Sequence, residues 1–416
     1  MDKLVINGGR KLFGTVRVQG AKNAVLPLMA AAVLTEDRVN IGNCPNLSDV
    51  RNMSRILTSL GAETSYADGE LAVNPKGVKS HEIPSKLAKE LRSSIFLLGS
   101  VLGRMKEAKV AYPGGCDIGL RPIDIHIKGL KELNVRITEE YGYIYCDAKN
   151  IKAGSVNLDY PSVGATENFM LAAALLDGIT LIHNAAREPE IVDLQNFLNS
   201  MGAEISGAGT GVIKVRGVER LHGTDYQTMP DRIVAGTVLA AVAACGGEVR
   251  LEKADPEHLT ALISKLRKTG CNISCKSDII NISSDGRLKA VQNVDTQPYP
   301  GFPTDLQAQM AAVLTLARGT SLVTENIFET RFKHVPELTK MGADITVKGR
   351  TAVISGVQEL KGAEVAAEDL RGGAALVIAG LAAKGITVIN NVQYIDRGYE
   401  SIENLFGSIG GDITRL

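Results

Sequence analysis

The segment YPGGCDIGLRPIDIH, residues 112 to 126, places a cysteine in a loop that Gly114, Gly115 and Gly119 make pliable. A Gly-Gly-Cys-Asp loop has little with which to bury a thiol, so Cys116 reads as an exposed, reactive group on a lid. Arg121 lowers the thiol pKa from its ordinary value of about 8.5 and the adjacent Asp117 raises it, so the sign of the net shift is open at this level. His126, which follows Pro-Ile-Asp-Ile, reads as a hydrogen bonder at a helix start.

Four arginines recur at a matching place. Arg121, Arg187, Arg331 and Arg397 precede by 13, 15, 11 and 13 residues the Gly or Asn that closes a repeated Leu-x-x-Leu-Gly-Ala phrase. One such arginine is ordinary solvated surface. Recurrence favours a ligand with several carboxylate or phosphate groups at fixed separations, since a planar guanidinium binds either bidentately. A second set opens the apolar helices: Lys22-Asn23, Arg92-Ser93-Ser94, Ser162 to Glu167, Asp231-Arg232, Thr304-Asp305 and Asp369-Leu370-Arg371. Ser, Asp and Asn are expected there as caps. A cation at a helix N-terminus opposes the macrodipole, so Lys22, Arg92, Arg232 and Arg371 make sense if an anion lies between them and exposed backbone N–H groups.

What positions these residues is a sixfold repeat. The phrase appears as ILTSLGAET, LKELNVRIT, FLNSMGAEI, LRKTGCNIS, LTKMGADIT and LFGSIGGDIT, with capping residues Gly61, Asn134, Gly202, Gly270, Gly342 and Gly410 spaced by 73, 68, 68, 72 and 68 residues. Each phrase predicts an amphipathic helix closed by a left-handed residue and followed by an alternating strand. Each repeat also holds a helix apolar on every side: NAVLPLMAAAVLT, SSIFLLGSVLG, TENFMLAAALL, RIVAGTVLAAVAA, DLQAQMAAVLTLA and GGAALVIAGLAA. Such helices are buried, so six of them form the interior, and the repeat reads as buried helix, strand, outer helix, strand, return strand.

After Gly410 only GDITRL remains, and LVINGGRKLFGT near the start resembles the return segments IKVRGVERLHGT and VISGVQELKGAEV, so the N-terminus completes the sixth repeat. The reading is an α/β protein of two three-repeat domains, residues 22–230 and residues 1–21 plus 231–416. The chain crosses between them near Gln19 to Lys22 and Met229 to Asp231, and a cleft between two domains is a preferred place for ligands.

Composition narrows the function. With 46 basic and 46 acidic side chains in 416 residues there is no net charge to attract nucleic acid or an anionic membrane, and with Trp 0 and 4% aromatic residues there is little to stack on bases. A 44% hydrophobic content excludes disorder and a fibre. The longest uncharged stretch, Ile233 to Gly247, has 15 residues, short of the roughly 20 of a membrane span. MDKLVING lacks the basic and apolar regions of a signal peptide, and a cytoplasmic protein with reduced cysteines is expected. Cys271 and Cys275 have no second ligand pair at zinc spacing, and CNISCKSDIINI alternates as a strand. GAGTGV at 207 to 212 precedes a strand and reads as a hairpin turn, not a dinucleotide loop. A Walker loop, an H-E-x-x-H helix and a G-x-S-x-G elbow are absent.

GAKNAVLPLMAAAVL, RSSIFLLGSVLGR, PGGCDIGLRPIDIH, PSVGATEN, FPTDLQAQ, FETRFKHVPEL, DLRGGAALVIAGL and IDRGYE follow one another along the whole chain. In this order they closely resemble the enolpyruvyl transferases that act on UDP-N-acetylglucosamine. The resemblance implies an inside-out α/β barrel in each of two domains, with three repeats per domain and the apolar helices inside. It implies transfer of an enolpyruvyl group from phosphoenolpyruvate to the sugar 3-hydroxyl, by addition and then elimination of phosphate, with no cofactor and no metal. Cys116 takes the family's proton-donor position and Asp305 its base position, helix capping being the plainer role for Asp305. Lys22, Arg121 and Arg397 would hold phosphoenolpyruvate, with Arg331 and Arg371 supporting. The nucleotide sugar would fall to Asn23, Arg92, the stretch Arg121-Pro122-Ile123-Asp124-Ile125, Ser162-Val163-Gly164, Asp305 and Ile327, while Asp369 would orient cationic side chains. Tyr160-Pro161 departs from the Lys-Val of some relatives and removes one cation for the diphosphate. The related shikimate-pathway transferase lacks the cysteine loop. An idle paralogue that binds nucleotide sugar and regulates a partner is disfavoured by intact Lys22, Cys116, Arg121, Asp305 and Arg397.

Overall fold

The computed structural model describes residues 2–112 and 123–416, so Cys116, Arg121 and Pro122 of the expected site lie outside the described residues. Two compact units are found: residues 2–19 with 230–416, and residues 20–112 with 123–229. Each has its own apolar core.

The all-apolar segments are the central helices. Lys22–Ala31, Phe96–Met105 and Val163–Ala173 lie in one unit and Arg232–Cys245, Gln307–Leu314 and Leu370–Ala382 in the other. Every residue from Arg232 to Ala244 is buried, as a helix without a polar face requires. Small residues let these helices approach closely. A Cβ at Gly99 would fall 2.3 Å from the Asn168 carbonyl oxygen, so only glycine fits at that crossing.

The capping prediction holds at all six positions. Gly61, Asn134, Gly202, Gly270, Gly342 and Gly410 have φ of 108°, 67°, 97°, 106°, 94° and 94°, the left-handed conformation that releases the chain from an outer helix into a strand. Among the described residues there are six four-stranded sheets, one strand more per repeat than expected. The third repeat shows the pattern. Ile179–His183 pairs antiparallel with the return strand Val212–Arg216, which pairs with Glu204–Ser206; on its other side Ile179–His183 takes Ser155–Asn157 as a parallel neighbour. That fourth strand is donated by the preceding repeat. In five copies it is only two or three residues long, too short for alternation to show, and the sequence reading merged it with the return segment.

If each repeat donates a strand to the next, a three-repeat unit must close on itself. Asp225–Gln227 pairs with Val39–Gly42 in one unit, and Leu12–Arg17 with Gly247–Glu252 in the other. The return strand of the sixth repeat is Leu4–Asn7, between Ile386–Asn390 and Ile413–Arg415, so the N-terminus completes that repeat as expected. GAGTGV is the turn between Glu204–Ser206 and Val212–Arg216, and Cys275 lies in the strand Asn272–Lys276. Among the described residues no group of His, Cys, Asp and Glu could hold a metal ion, and no helix is long and apolar enough to cross a membrane.

Candidate active site

Each unit gathers part of the predicted set. In the unit containing residues 230–416, a turn at Thr304–Leu306 leads into the central helix Gln307–Leu314, with no side chain capping it. Asp305 therefore does not cap. Its carboxylate is gripped from both sides: Arg331 Nη2 donates to Oδ1 at 2.8 Å and Arg371 Nη2 to Oδ2 at 3.2 Å. Both arginines are 3% exposed, while 28% of the Asp305 side chain remains open to solvent. Burial alone would raise the Asp305 pKa, but the charges of Arg371 and Arg331 outweigh it and hold the carboxyl well below the usual range.

Two donors remain. Arg331 Nε and Arg371 Nη1 are buried and have no hydrogen-bond partner among the described residues, a state a fold tolerates where a ligand is to supply the acceptor. Arg371 Nη1 lies 3.3 Å from where a Cβ on Gly398 would stand, next in sequence to Arg397, which ends the turn Val392–Arg397. Tyr399 secures that turn from beneath, bonding Thr237 Oγ1 at 2.7 Å with its own ring buried. Asp369 Oδ1 accepts the backbone N–H groups of Arg371 and Gly372, both at 2.9 Å, so it is the N-cap of Leu370–Ala382 and holds Arg371 through the main chain. Ile327 donates its backbone N–H to Glu325 Oε1 at 2.8 Å.

In the unit containing residues 20–229, Lys22 is the first residue of its central helix, with Asn23 beside it and no side-chain cap at Ala21. The anion that a lysine there demands is present: Asp49 Oδ2, on the outer helix Ser48–Leu60, lies 2.5 Å from Lys22 Nζ, and the two residues are 8% and 2% exposed. The nucleotide-sugar candidates converge on His126. Ile123 precedes the helix Asp124–Glu132, in whose first turn Asp124, Ile125 and His126 stand. Ser162 Oγ caps Val163–Ala173, accepting Ala165 N–H at 3.4 Å, and a Cβ at Gly164 would lie 3.5 Å from the His126 ring.

Burial and the neighbouring Arg92 pull the His126 pKa down to about 4. The tautomer follows from geometry. Gly99 N–H donates to Asn168 Oδ1 at 2.6 Å, so Asn168 Nδ2 is the nitrogen 2.9 Å from His126 Nδ1; Nδ1 accepts and the ring proton sits on Nε2. His126 thus bonds across to a neighbouring helix, not to its own helix start. Arg187 is exposed, its Nη2 lying 3.1 Å from the Cβ position of hairpin Gly211, and it behaves as ordinary surface.

Sequence reasoning missed Asp49, Glu325 and Asn168, and took Glu167 only as one of the residues that open an apolar helix. Asp49 lies in the first turn of the outer helix Ser48–Leu60, where an acid complements the helix dipole, so its position along the chain marks no site. Glu167 is fully buried, both its oxygens lack partners among the described residues, and burial together with Glu190 and Glu188 pushes its pKa well above the ordinary value. The available signal was a carboxylate in a helix whose remaining stretch, FMLAAALL, is wholly apolar.

A family profile described as EPSP synthase (3-phosphoshikimate 1-carboxyvinyltransferase) matches residues 6–406. Among solved structures, the enolpyruvyl transferase NikO from Streptomyces tendae superposes with a TM-score of 0.89 at 24% identity, covering 100% of this chain and 99% of that one. EPSP synthase from Acinetobacter baumannii gives 0.76 at 19% identity with 100% of each chain covered. These two likenesses establish the fold. In sequence, the chain is 56% identical over 416 residues to the UDP-N-acetylglucosamine 1-carboxyvinyltransferase 2 of Caldanaerobacter subterraneus subsp. tengcongensis, and 48% identical over 418 residues to the UDP-N-acetylglucosamine 1-carboxyvinyltransferase of Clostridium botulinum, with 100% of both chains covered each time. The chain belongs to the carboxyvinyltransferase family and, within it, to the UDP-N-acetylglucosamine 1-carboxyvinyltransferases.

Proposed function

We propose that this protein transfers the enolpyruvyl group of phosphoenolpyruvate to the 3-hydroxyl of UDP-N-acetylglucosamine and releases phosphate, the first committed step of peptidoglycan precursor synthesis, in the cytoplasm. The observation that carries this reading is the Asp305 carboxylate held between two buried arginines that keep unused donors. A donor bearing a phosphate and a carboxylate supplies the acceptors those arginines lack.

The sugar hydroxyl attacks the central carbon of phosphoenolpyruvate while its proton passes to Asp305. Cys116 delivers a proton to the methylene carbon, and a tetrahedral adduct forms. Loss of a proton from that same carbon and departure of phosphate then restore the vinyl group on the sugar oxygen. Lys22, Arg121 and Arg397 hold the donor, with Arg331 and Arg371 supporting; Asn23, Arg92, residues 121–125, Ser162 to Gly164 and Ile327 hold the nucleotide sugar. Ionised Asp305 is a weak base while both guanidiniums face it. As the donor's anionic groups draw on Arg331 and Arg371, that grip loosens and the carboxylate's proton affinity rises toward the range a general base needs. Positioning and preorganised charge supply most of the rate.

The test is phosphate release from phosphoenolpyruvate. It is expected to require UDP-N-acetylglucosamine, and shikimate-3-phosphate is expected not to replace it. Release with shikimate-3-phosphate alone would overturn the assignment.

A further inference from the structure

Glu325 is 0% exposed, and among the described residues no lysine or arginine pairs with it. A buried carboxylate without a cation is costly unless donors surround it. Here they do. Oε1 accepts Thr296 Oγ1 at 2.9 Å, Ile327 N–H at 2.8 Å and Phe328 N–H at 3.1 Å, and Oε2 accepts Thr304 Oγ1 at 2.8 Å. These donors come from three separate stretches of chain. Thr296 follows the strand Asn293–Asp295 and takes part twice, since its hydroxyl oxygen also accepts Asn326 N–H at 2.8 Å.

The consequence lies in what adjoins those donors. Thr304 immediately precedes Asp305, and Phe328 stands three residues before Arg331, whose guanidinium holds Asp305. One carboxylate thus ties together the turn that carries Asp305 and the loop that carries Ile327 and leads to Arg331. We infer that Glu325 is a positioning residue for the Asp305 carboxylate, fixing the turn that aims it at the acceptor hydroxyl. This rests on the function proposed above, in which Asp305 receives the hydroxyl proton. Proton transfer in a bound complex tolerates little displacement, and a misplacement of about 1 Å costs on the order of a hundredfold in rate.

The experiment severs the tie at its far end. Thr304→Val removes one hydroxyl and leaves the loop held by Glu325 Oε1. With the full chain, kcat for phosphate release is expected to fall about tenfold to a hundredfold, with KM for phosphoenolpyruvate changed less than about threefold, while Thr304→Ser restores kcat. The discriminating readout is a double-mutant cycle in single-turnover mode. In an Asp305→Asn background the Thr304→Val change is expected to cost less than about threefold, because there is no carboxylate left to aim. Should Thr304→Val prove unfolded by thermal melting, Glu325→Asp takes its place in the same cycle, since a carboxylate one methylene shorter cannot stay bonded to the loop N–H groups and also reach the Thr304 hydroxyl. A wild-type enzyme without sugar-dependent phosphate release removes the functional reading and this inference with it. An active wild type whose variants keep wild-type kcat, or lose it equally with and without Asp305, overturns this inference alone.

Discussion

Lys22 Nζ lies 2.5 Å from Asp49 Oδ2, with only 11% and 3% of the two side chains open to water. A pair so buried is mutually dependent: removing one partner takes a buried countercharge from the other, at a cost of about 3–5 kcal/mol. Asp49→Asn is therefore expected to lower the melting temperature by several degrees. Adding Lys22→Met to it should recover part of that loss, and strictly additive losses in calorimetry would contradict the pairing.

Asp305 supplies a second test. Asp305→Asn is expected to lower kcat by at least about a hundredfold, the lower end of what a positioned general base contributes. Because Arg371 and Arg331 hold its carboxyl well below the ordinary range, the wild-type acid limb of kcat/KM for the nucleotide sugar should not arise from this group at mildly acidic pH. Arg331→Met removes one of the two charges, so the Asp305 pKa rises and its own limb is expected to move to higher pH than in the wild type. A pH-rate profile that leaves the limb in place would count against the account.

His126 makes stability depend on pH in a definite direction. Its pKa is about 4 in the folded protein, pulled down by burial and by Arg92, against about 6.5 in an unfolded chain. Between those values the unfolded state binds more protons, so stability is full above pH 6.5 and is lost as pH falls toward 4. Urea unfolding at a series of pH values should show that slope, and it should be shallower in His126→Asn, where no ring remains to be protonated.

Glu167 has the opposite sign. Its folded pKa is raised by burial and by Glu190 and Glu188, so the folded state keeps a proton that the unfolded chain gives up, and stability declines as pH rises above the ordinary glutamate range. Glu167→Gln resembles the neutral acid in shape. It is expected to be more stable than wild type at pH 8, with the two converging near pH 4. Equal unfolding midpoints at pH 8 would show that the carboxyl ionises without penalty.

Cysteine reactivity gives the last test. Burial pushes the Cys146 and Cys245 thiols up to about 12 and raises that of Cys271, while Cys44 is 2% exposed. Among the described cysteines only Cys275 is exposed. An epoxide phosphonate such as fosfomycin is expected to alkylate Cys116, because the functional reading puts that thiol beside cations that hold a phosphonate. Mass spectrometry should find the adduct there, unchanged in Cys275→Ser; an adduct at Cys275 would refute the assignment.

Much of this protein was legible in its amino-acid order because the relevant physics is local. A left-handed cap every 68 to 73 residues marks the six repeats, and helices without a polar face have to lie inside, as all six do. The copied return segment at the N-terminus identified Leu4–Asn7 as the missing strand of the last repeat. Tertiary structure alone decided which charges meet. Asp49 stands 27 positions from Lys22, and Arg371 stands 66 from Asp305, separations with no period to reveal them. It also decided that Asp369 caps while Asp305 does not, although both precede a central helix. Five of the six donated strands escaped notice for a related reason: two or three residues carry no alternation, and their pairing exists only once the repeats close around each core. Period and capping propensity belong to a stretch of chain, whereas an ion pair or a hydrogen bond between distant segments belongs to the distances that packing creates.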